Sequence, residues 1–170
     1  MHGADAVPAL LAQGCDRHGQ GHRRFAHPMS LGEMGPRLDV ARQGAVFGVR
    51  TVDPSLAILA NRDLLHAALA NLLQNAFKYT QENSMVTLSA YASGEQVLID
   101  VEDHCGGLPP GGAAKMFIPF SPNSDSRAGL GLGLSIARQS IEADNGTLTV
   151  RDVPGSGCVF TISLPRPSPS

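Results

Sequence analysis

From residue 45 onward the chain switches between two hydrophobic periods. Ala45–Val49 and Leu56–Ala60 read as short strands separated by Asp53-Pro54. Asn61 or Asp63 can cap a helix that runs to about Thr80, with Leu65, Leu69, Leu72, Leu73 and Ala76 as its apolar stripe. Alternation returns in Met85–Tyr91 and Gln96–Asp103, a hairpin around Ser93-Gly94. A glycine- and proline-rich loop covers roughly Gly106–Ala128, with one helical turn at Ala113–Phe117. A second helix is expected over Gly131–Ala143, its turns marked by Leu134, Ala137, Arg138 and Ile141, and ended by Asn145-Gly146. Two last strands, Thr147–Asp152 and Cys158–Leu164, flank Pro154-Gly155-Ser156-Gly157. Strands and helices are mixed without strict alternation. That predicts an α/β sandwich with a mixed sheet rather than a doubly wound parallel sheet.

Residues 1–44 differ. They are rich in Gly, His, Arg and Pro and lack sustained apolar periodicity, so they are expected to be poorly ordered, with a short helix near Pro36–Gln43. Cys15, His18, His22 and His27 have metal-ligand chemistry. A basic tail with scattered histidines is the preferred reading, because no structured hairpin or helix follows to supply the second half of a zinc motif. The expected division is 1–44 as an extension, 45–165 as the globular domain and 166–170 as a Pro/Ser-rich tail.

Composition narrows the function classes. A chain of 170 residues, 42% hydrophobic, suits one domain with a real core. The formal charge of −2 gives no electrostatic reason to expect nucleic acid or an anionic membrane. No apolar run approaches the ~20 residues of a membrane helix. The chain start lacks a basic n-region, and Leu11-Ala-Gln-Gly-Cys15 has no hydrophobic segment before it to make a lipoprotein signal. Three widely spaced cysteines, Cys15, Cys105 and Cys158, fit reduced thiols in the cytoplasm.

Three polar or glycine-rich segments carry the candidate chemistry. Asn71, Asn75 and Lys78 lie at i, i+4 and i+7, one line along the first long helix. Alone, this line fits a solvated face. It also fits a face turned to a nucleotide, since an amide oxygen is a hard ligand for Mg²⁺ and a lysine is a point charge for phosphate. Asp103 follows Val97, Ile99 and Val101 at period two, which puts a carboxylate on the apolar face. Such a group needs a donor, unless the strand has already ended in a solvated turn. Gly129-Leu130-Gly131-Leu132-Gly133-Leu134 opens the second helix. It is either a hinge or a place where the backbone can approach phosphates.

In this order and spacing, Asn71-Leu-Leu-Gln-Asn75-Ala-Phe-Lys78-Tyr79, Asp103-His-Cys105-Gly106-Gly107-Leu108 and Gly129–Leu134 resemble the asparagine box and two glycine boxes of the ATP-binding domain of sensor histidine kinases. The resemblance covers about residues 45–165. It implies a two-layer α/β sandwich, in which a mostly antiparallel mixed sheet of about five strands packs on about three helices with a flexible ATP lid. It implies ATP and Mg²⁺ as cofactors, with Asn75 the Mg²⁺ ligand, Lys78 on phosphate, Tyr79 by the ribose and Asp103 on the adenine amine. Gly107, Leu108 and the Gly129–Leu134 segment would line the nucleotide. Phe117 and Phe120 resemble the family's paired-phenylalanine box. Two positions depart from the pattern: Cys105 replaces a glycine, and Cys158 stands where Thr or Ser is frequent.

The resemblance also bears on mechanism. ATP-hydrolysing topoisomerase and chaperone relatives carry a Glu one helical turn before the Mg²⁺-binding Asn. Here Asn71 stands there, and an amide cannot take a proton from water. Transfer to a histidine is therefore expected, with Asn71 and Lys78 as the catalytic pair. The six histidines are followed by Gly, Gly, Arg, Pro, Ala and Cys, so none has the acceptor pattern of His followed by an acidic residue. The expected partner is a separate histidine-bearing dimerisation domain and, through it, a response regulator. Nucleic acid and membrane contact are not expected, and the chain alone should be a monomer. A regulatory ATP-binding module and an anti-sigma-type serine kinase are the competing readings.

Overall fold

The computed structural model describes residues 10–12, 23–27, 45–52, 56–119 and 132–166. The chain runs β1 (Leu10–Ala12), β2 (Arg23–His27), β3 (Val46–Val52), β4 (Ala57–Ile58), α1 (Arg62–Tyr79), β5 (Met85–Ser93), β6 (Gln96–Glu102), α2 (Gly112–Lys115), α3 (Gly133–Glu142), β7 (Thr147–Val153) and β8 (Gly157–Pro165). The main sheet has the order β3-β5-β6-β8-β7, parallel between β3 and β5 and antiparallel elsewhere. The mixed five-stranded sheet expected from the sequence is therefore present, with three helices. A smaller antiparallel sheet, β1-β2-β4, stands beside it. The expected helix at 36–43 and the cluster Cys15, His18 and His22 lie outside the described residues.

Register makes the sheet two-faced. Ile99 pairs with Ala90 and Ile162, and Val101 with Leu88 and Phe160, so one face is apolar across three strands. Val86, Ala90, Val101, Phe160, Ile162 and Leu164 on that face are fully buried. The opposite face carries a polar ladder: Thr161 Oγ1 donates to Asp100 at 2.6 Å, Tyr91 Oη to Asp100 at 3.0 Å, and Ser163 Oγ to Gln96 at 2.6 Å. Helices thus cover a single face, which is the two-layer arrangement.

Helix α1 buries Leu65, Ala68, Leu69, Leu72, Leu73 and Ala76, the predicted stripe with Ala68 added. It starts at Asn61, whose side chain accepts from the amides of Asp63 at 2.9 Å and Leu64 at 3.4 Å. The Asn61 amide in turn donates to Asp144 Oδ2 at 2.7 Å, just beyond α3, so the two helices are tied where one begins and the other ends. Element boundaries shift from the sequence reading by one to three residues, most clearly at β3, β4 and α3. Strand β3 continues to Val52 along its β5 partner, whereas β4 shrinks to the two residues that pair with β2. Helix α3 starts at Gly133, because Leu132 serves as its N-cap and its carbonyl accepts from Ile136 N and Ser135 Oγ.

Candidate functional site

Asp103 lies one residue beyond the end of β6, yet it is only 2% exposed. The ladder to β8 persists for one more bond, Asp103 N to the Cys158 carbonyl at 2.9 Å, which keeps the side chain on the apolar face. Its Oδ1 accepts two backbone amides, from Cys105 and from Cys158, each at 3.0 Å. A buried carboxylate is tolerable on such terms, because each donor is a fixed dipole.

The glycine loop that follows resolves the Cys105 substitution. Positive φ is taken by Gly106 at 90° and Gly107 at 100°, while Cys105 is not among the described residues with positive φ. A Cβ is therefore accommodated at position 105, and the turn is made one residue later. The loop is closed by Gly106 N to the Ser156 carbonyl at 2.9 Å and by Leu108 N to Asp152 Oδ1 at 2.7 Å. Gly157 permits this closure: a Cβ there would overlap the Asp103 carbonyl oxygen.

The C-terminal end of α1 is fastened to the same loop. Thr80 Oγ1 accepts from the His104 amide at 3.1 Å, Gln81 N donates to the His104 carbonyl at 3.0 Å, and His104 Nδ1 donates to the Met85 carbonyl at 2.7 Å. Lys78 and Tyr79 stand at this end. The Lys78 ammonium lies over the Tyr79 ring, 4.7 Å from its centroid, and Tyr79 is exposed.

The polar line on α1 faces the start of α3. A Cβ on Gly133 would sit 3.4 Å from Asn71 Oδ1, so the Asn71 amide lies beside the first helical turn. Helix α3 has no side-chain cap, which leaves amides of its first turn for another acceptor. One turn along α1, Asn75 Nδ2 is buried without a hydrogen-bond partner among the described residues. An unpaired buried amide is costly and is explained when a ligand supplies the missing partner. Leu134 and Leu108 pack on the core. Phe117 does too, and the Arg138 guanidinium stacks over its ring at 5.3 Å. Gly129, Leu130, Gly131 and Phe120 lie outside the described residues, as does the 120–128 part of the loop expected to act as a lid.

The structure therefore brings Asp103, Gly107 and Leu108 into one loop, ties that loop to the end of α1 bearing Lys78 and Tyr79, and sets Asn71 against Gly133. Sequence reasoning missed the residues that hold these pieces together: Thr80, His104, Asp152, Ser156 and Gly157. Their signals are distant in sequence. Only Gly157, in the turn Pro154–Gly157, stood out locally.

Residues 60–168 match the family model described as histidine kinase-, DNA gyrase B-, and HSP90-like ATPase. The chain is 39% identical over 111 residues to the sensor protein KdpD of Mycobacterium tuberculosis (strain CDC 1551 / Oshkosh), covering 64% of this chain and 13% of that protein. It is 37% identical over 134 residues to the sensor-like histidine kinase SenX3 of Mycobacterium tuberculosis (strain CDC 1551 / Oshkosh), covering 76% of this chain and 33% of that one. Among solved structures, full-length ShkA in complex with AMPPNP superposes with a TM-score of 0.67 at 29% identity, covering 77% of this chain and 27% of ShkA. The chain thus spans a third or less of these relatives.

Proposed function

Since the chain belongs to the histidine kinase-, DNA gyrase B-, and HSP90-like ATPase family and is an ATP-binding catalytic domain of the sensor histidine kinase type, we propose that it transfers the γ-phosphoryl of ATP to a histidine on a separate dimerisation domain. The observation that carries this reading is Asp103. It is a buried carboxylate whose Oδ1 is held by two backbone amides, with no cation paired to it among the described residues. A donor such as the exocyclic amine of adenine is the neutral partner such a group needs. The complex of ShkA with AMPPNP, an ATP analogue, is consistent with a nucleotide on this fold.

The residues present also fit Mg²⁺. The Asn75 side-chain oxygen is a hard donor that this ion accepts beside phosphate oxygens, while its orphaned Nδ2 would donate to a phosphate oxygen. When bound, the ion would neutralise charge on the phosphates. Lys78 would hold a phosphate as a point charge, and Tyr79 would lie by the ribose. The amides that open α3, with Leu132, Gly133 and Leu134, would bind phosphate oxygens, and the glycines at 129 and 131 would let the backbone come close. Asn71, beside Gly133, orients without accepting a proton. Water is thus left without a base, whereas a neutral imidazole needs none. The reaction belongs to the cytoplasm, where ATP and a response regulator are found, and the chain alone would be monomeric.

Radiolabelled ATP, the chain and a purified histidine-bearing dimerisation domain together test the proposal. Acid-labile phosphate on the dimerisation domain is expected. Acid-stable phosphoserine on a partner would instead indicate a serine kinase. Tight ATP binding without any transfer would indicate a regulatory module and reject the kinase reading.

A further inference from the structure

Two thiols converge on Asp103 and the nucleotide reading uses neither. Cys105 and Cys158 are both free, and their Sγ atoms lie 3.2 Å apart. With the Asp103 carboxylate they form a group whose ligand atoms all lie within 4.8 Å of one another. The β6–β8 ladder brings the two cysteines together across 53 residues, and both of their amides bond the same Asp103 oxygen, which fixes the three side chains around one point. Tetrahedral zinc, with Zn–S of about 2.3 Å and Zn–O of about 2.0–2.2 Å, asks for ligand atoms roughly 3.4–3.8 Å apart. To meet that spacing the two Sγ atoms, 3.2 Å apart, would separate by about half an ångström, and the 4.8 Å cluster would contract by side-chain rotation. Cys158 is buried, and Cys105 is half-buried at the loop, which gives a cation an approach from one side.

We propose that Asp103, Cys105 and Cys158 form a site for a thiophilic divalent cation, Zn²⁺ being the representative, and that this cation competes with ATP. Three protein ligands leave one coordination position open, as zinc permits. Binding releases one proton from each thiol, and the two thiolates balance the two positive charges while the carboxylate supplies the third ligand. Competition rests on Asp103 as the adenine ligand, because its Oδ1 already accepts two backbone amides, which leaves Oδ2 to take either the cation or an adenine amine. Occupancy of the site would switch nucleotide binding off without altering the fold.

The cation arm is read without nucleotide. A Cys15→Ser chain, kept in a phosphine reductant to exclude disulfides, is titrated with Cd²⁺ and followed by its thiolate-to-metal ultraviolet absorption. One equivalent should bind with the intensity of two thiolates, weaken in Cys105→Ser, and vanish in the Cys105→Ser, Cys158→Ala double variant. A flat titration, or full intensity in the double variant, overturns the site whatever ATP does. In a second arm, saturating Zn²⁺ should weaken ATP binding tenfold or more in the Cys15→Ser chain and leave it unchanged when Cys105→Ser and Cys158→Ala are both added. Cation binding with unchanged ATP affinity overturns the competition and removes Asp103 from the adenine reading. The first arm would in that case still establish the metal site.

Discussion

Gly157 is the residue on which the site's geometry turns most sharply. Any side chain there meets the Asp103 carbonyl, so Gly157→Ala must move either the β7–β8 turn or the loop after β6. Overpacking of this kind costs about 1–3 kcal/mol. The expected outcome is a lower urea midpoint together with weakened ATP binding. Cys105→Gly makes the opposite case. Position 105 does not need positive φ, so restoring the glycine of the family pattern should leave ATP affinity within about twofold while costing ~0.5–1 kcal/mol of stability through backbone entropy. A large gain in affinity in a fluorescent-nucleotide titration would contradict this. Tyr91 yields a pH prediction on the far face. Its hydrogen bond to Asp100 raises its pKa above the ordinary value, with desolvation adding to the effect. The phenol donates only while protonated, so this contribution is present up to the ordinary tyrosine pKa of about 10 and is lost as pH rises through the raised value. Spectrophotometric titration should show a tyrosine ionising earlier in Asp100→Asn than in wild type.

At the scale of elements, α1 is both a core helix and one wall of the site. Its apolar stripe is plain in the sequence, and its cap is narrowed there to Asn61 or Asp63, of which Asn61 serves. Asn61→Ala should cost about 1 kcal/mol of stability in denaturant unfolding and leave nucleotide affinity nearly unchanged, because the cap lies at the opposite end of the helix from Lys78. Thr80→Val should do the reverse in emphasis. It removes the acceptor for the His104 amide and loosens the loop that carries Asp103, so ATP affinity should fall more than stability does. Period two placed Asp103 on the apolar face correctly, and its burial agrees. What the sequence could not display was the joinery. Thr80 to His104, Leu108 to Asp152 and Gly106 to Ser156 are hydrogen bonds between segments 24 to 50 residues apart, and no local pattern encodes a partner at that range. The pairing of Cys105 with Cys158 escaped notice for the same reason. Each cysteine sits in a different local motif, and only the register of β6 on β8 makes them neighbours.

At the scale of the whole molecule, hydrophobic period anticipated an α/β sandwich with a mixed sheet, and the family resemblance supplied its two layers and about five strands; the strand order β3-β5-β6-β8-β7 and the small sheet β1-β2-β4 were not anticipated, the latter because Leu10–Ala12 and Arg23–His27 are short. The described helices include none long and apolar enough to cross a membrane. A domain of this type, supplied with its ligand, should gain stability by linkage, about 2.7 kcal/mol at a hundredfold excess of ligand over Kd, and melting temperature should rise with Mg·ATP concentration. In the proposed function Asp103 reads adenine within a nucleotide site built from α1, the glycine loop and α3. Calorimetric titration of the wild type and Asp103→Asn with Mg·ATP tests it most directly. Losing a hydrogen bond to a charged group costs about 1.5–3 kcal/mol, so one-to-one binding should weaken by roughly tenfold or more in the variant. Equal affinity in a folded Asp103→Asn chain would contradict the account.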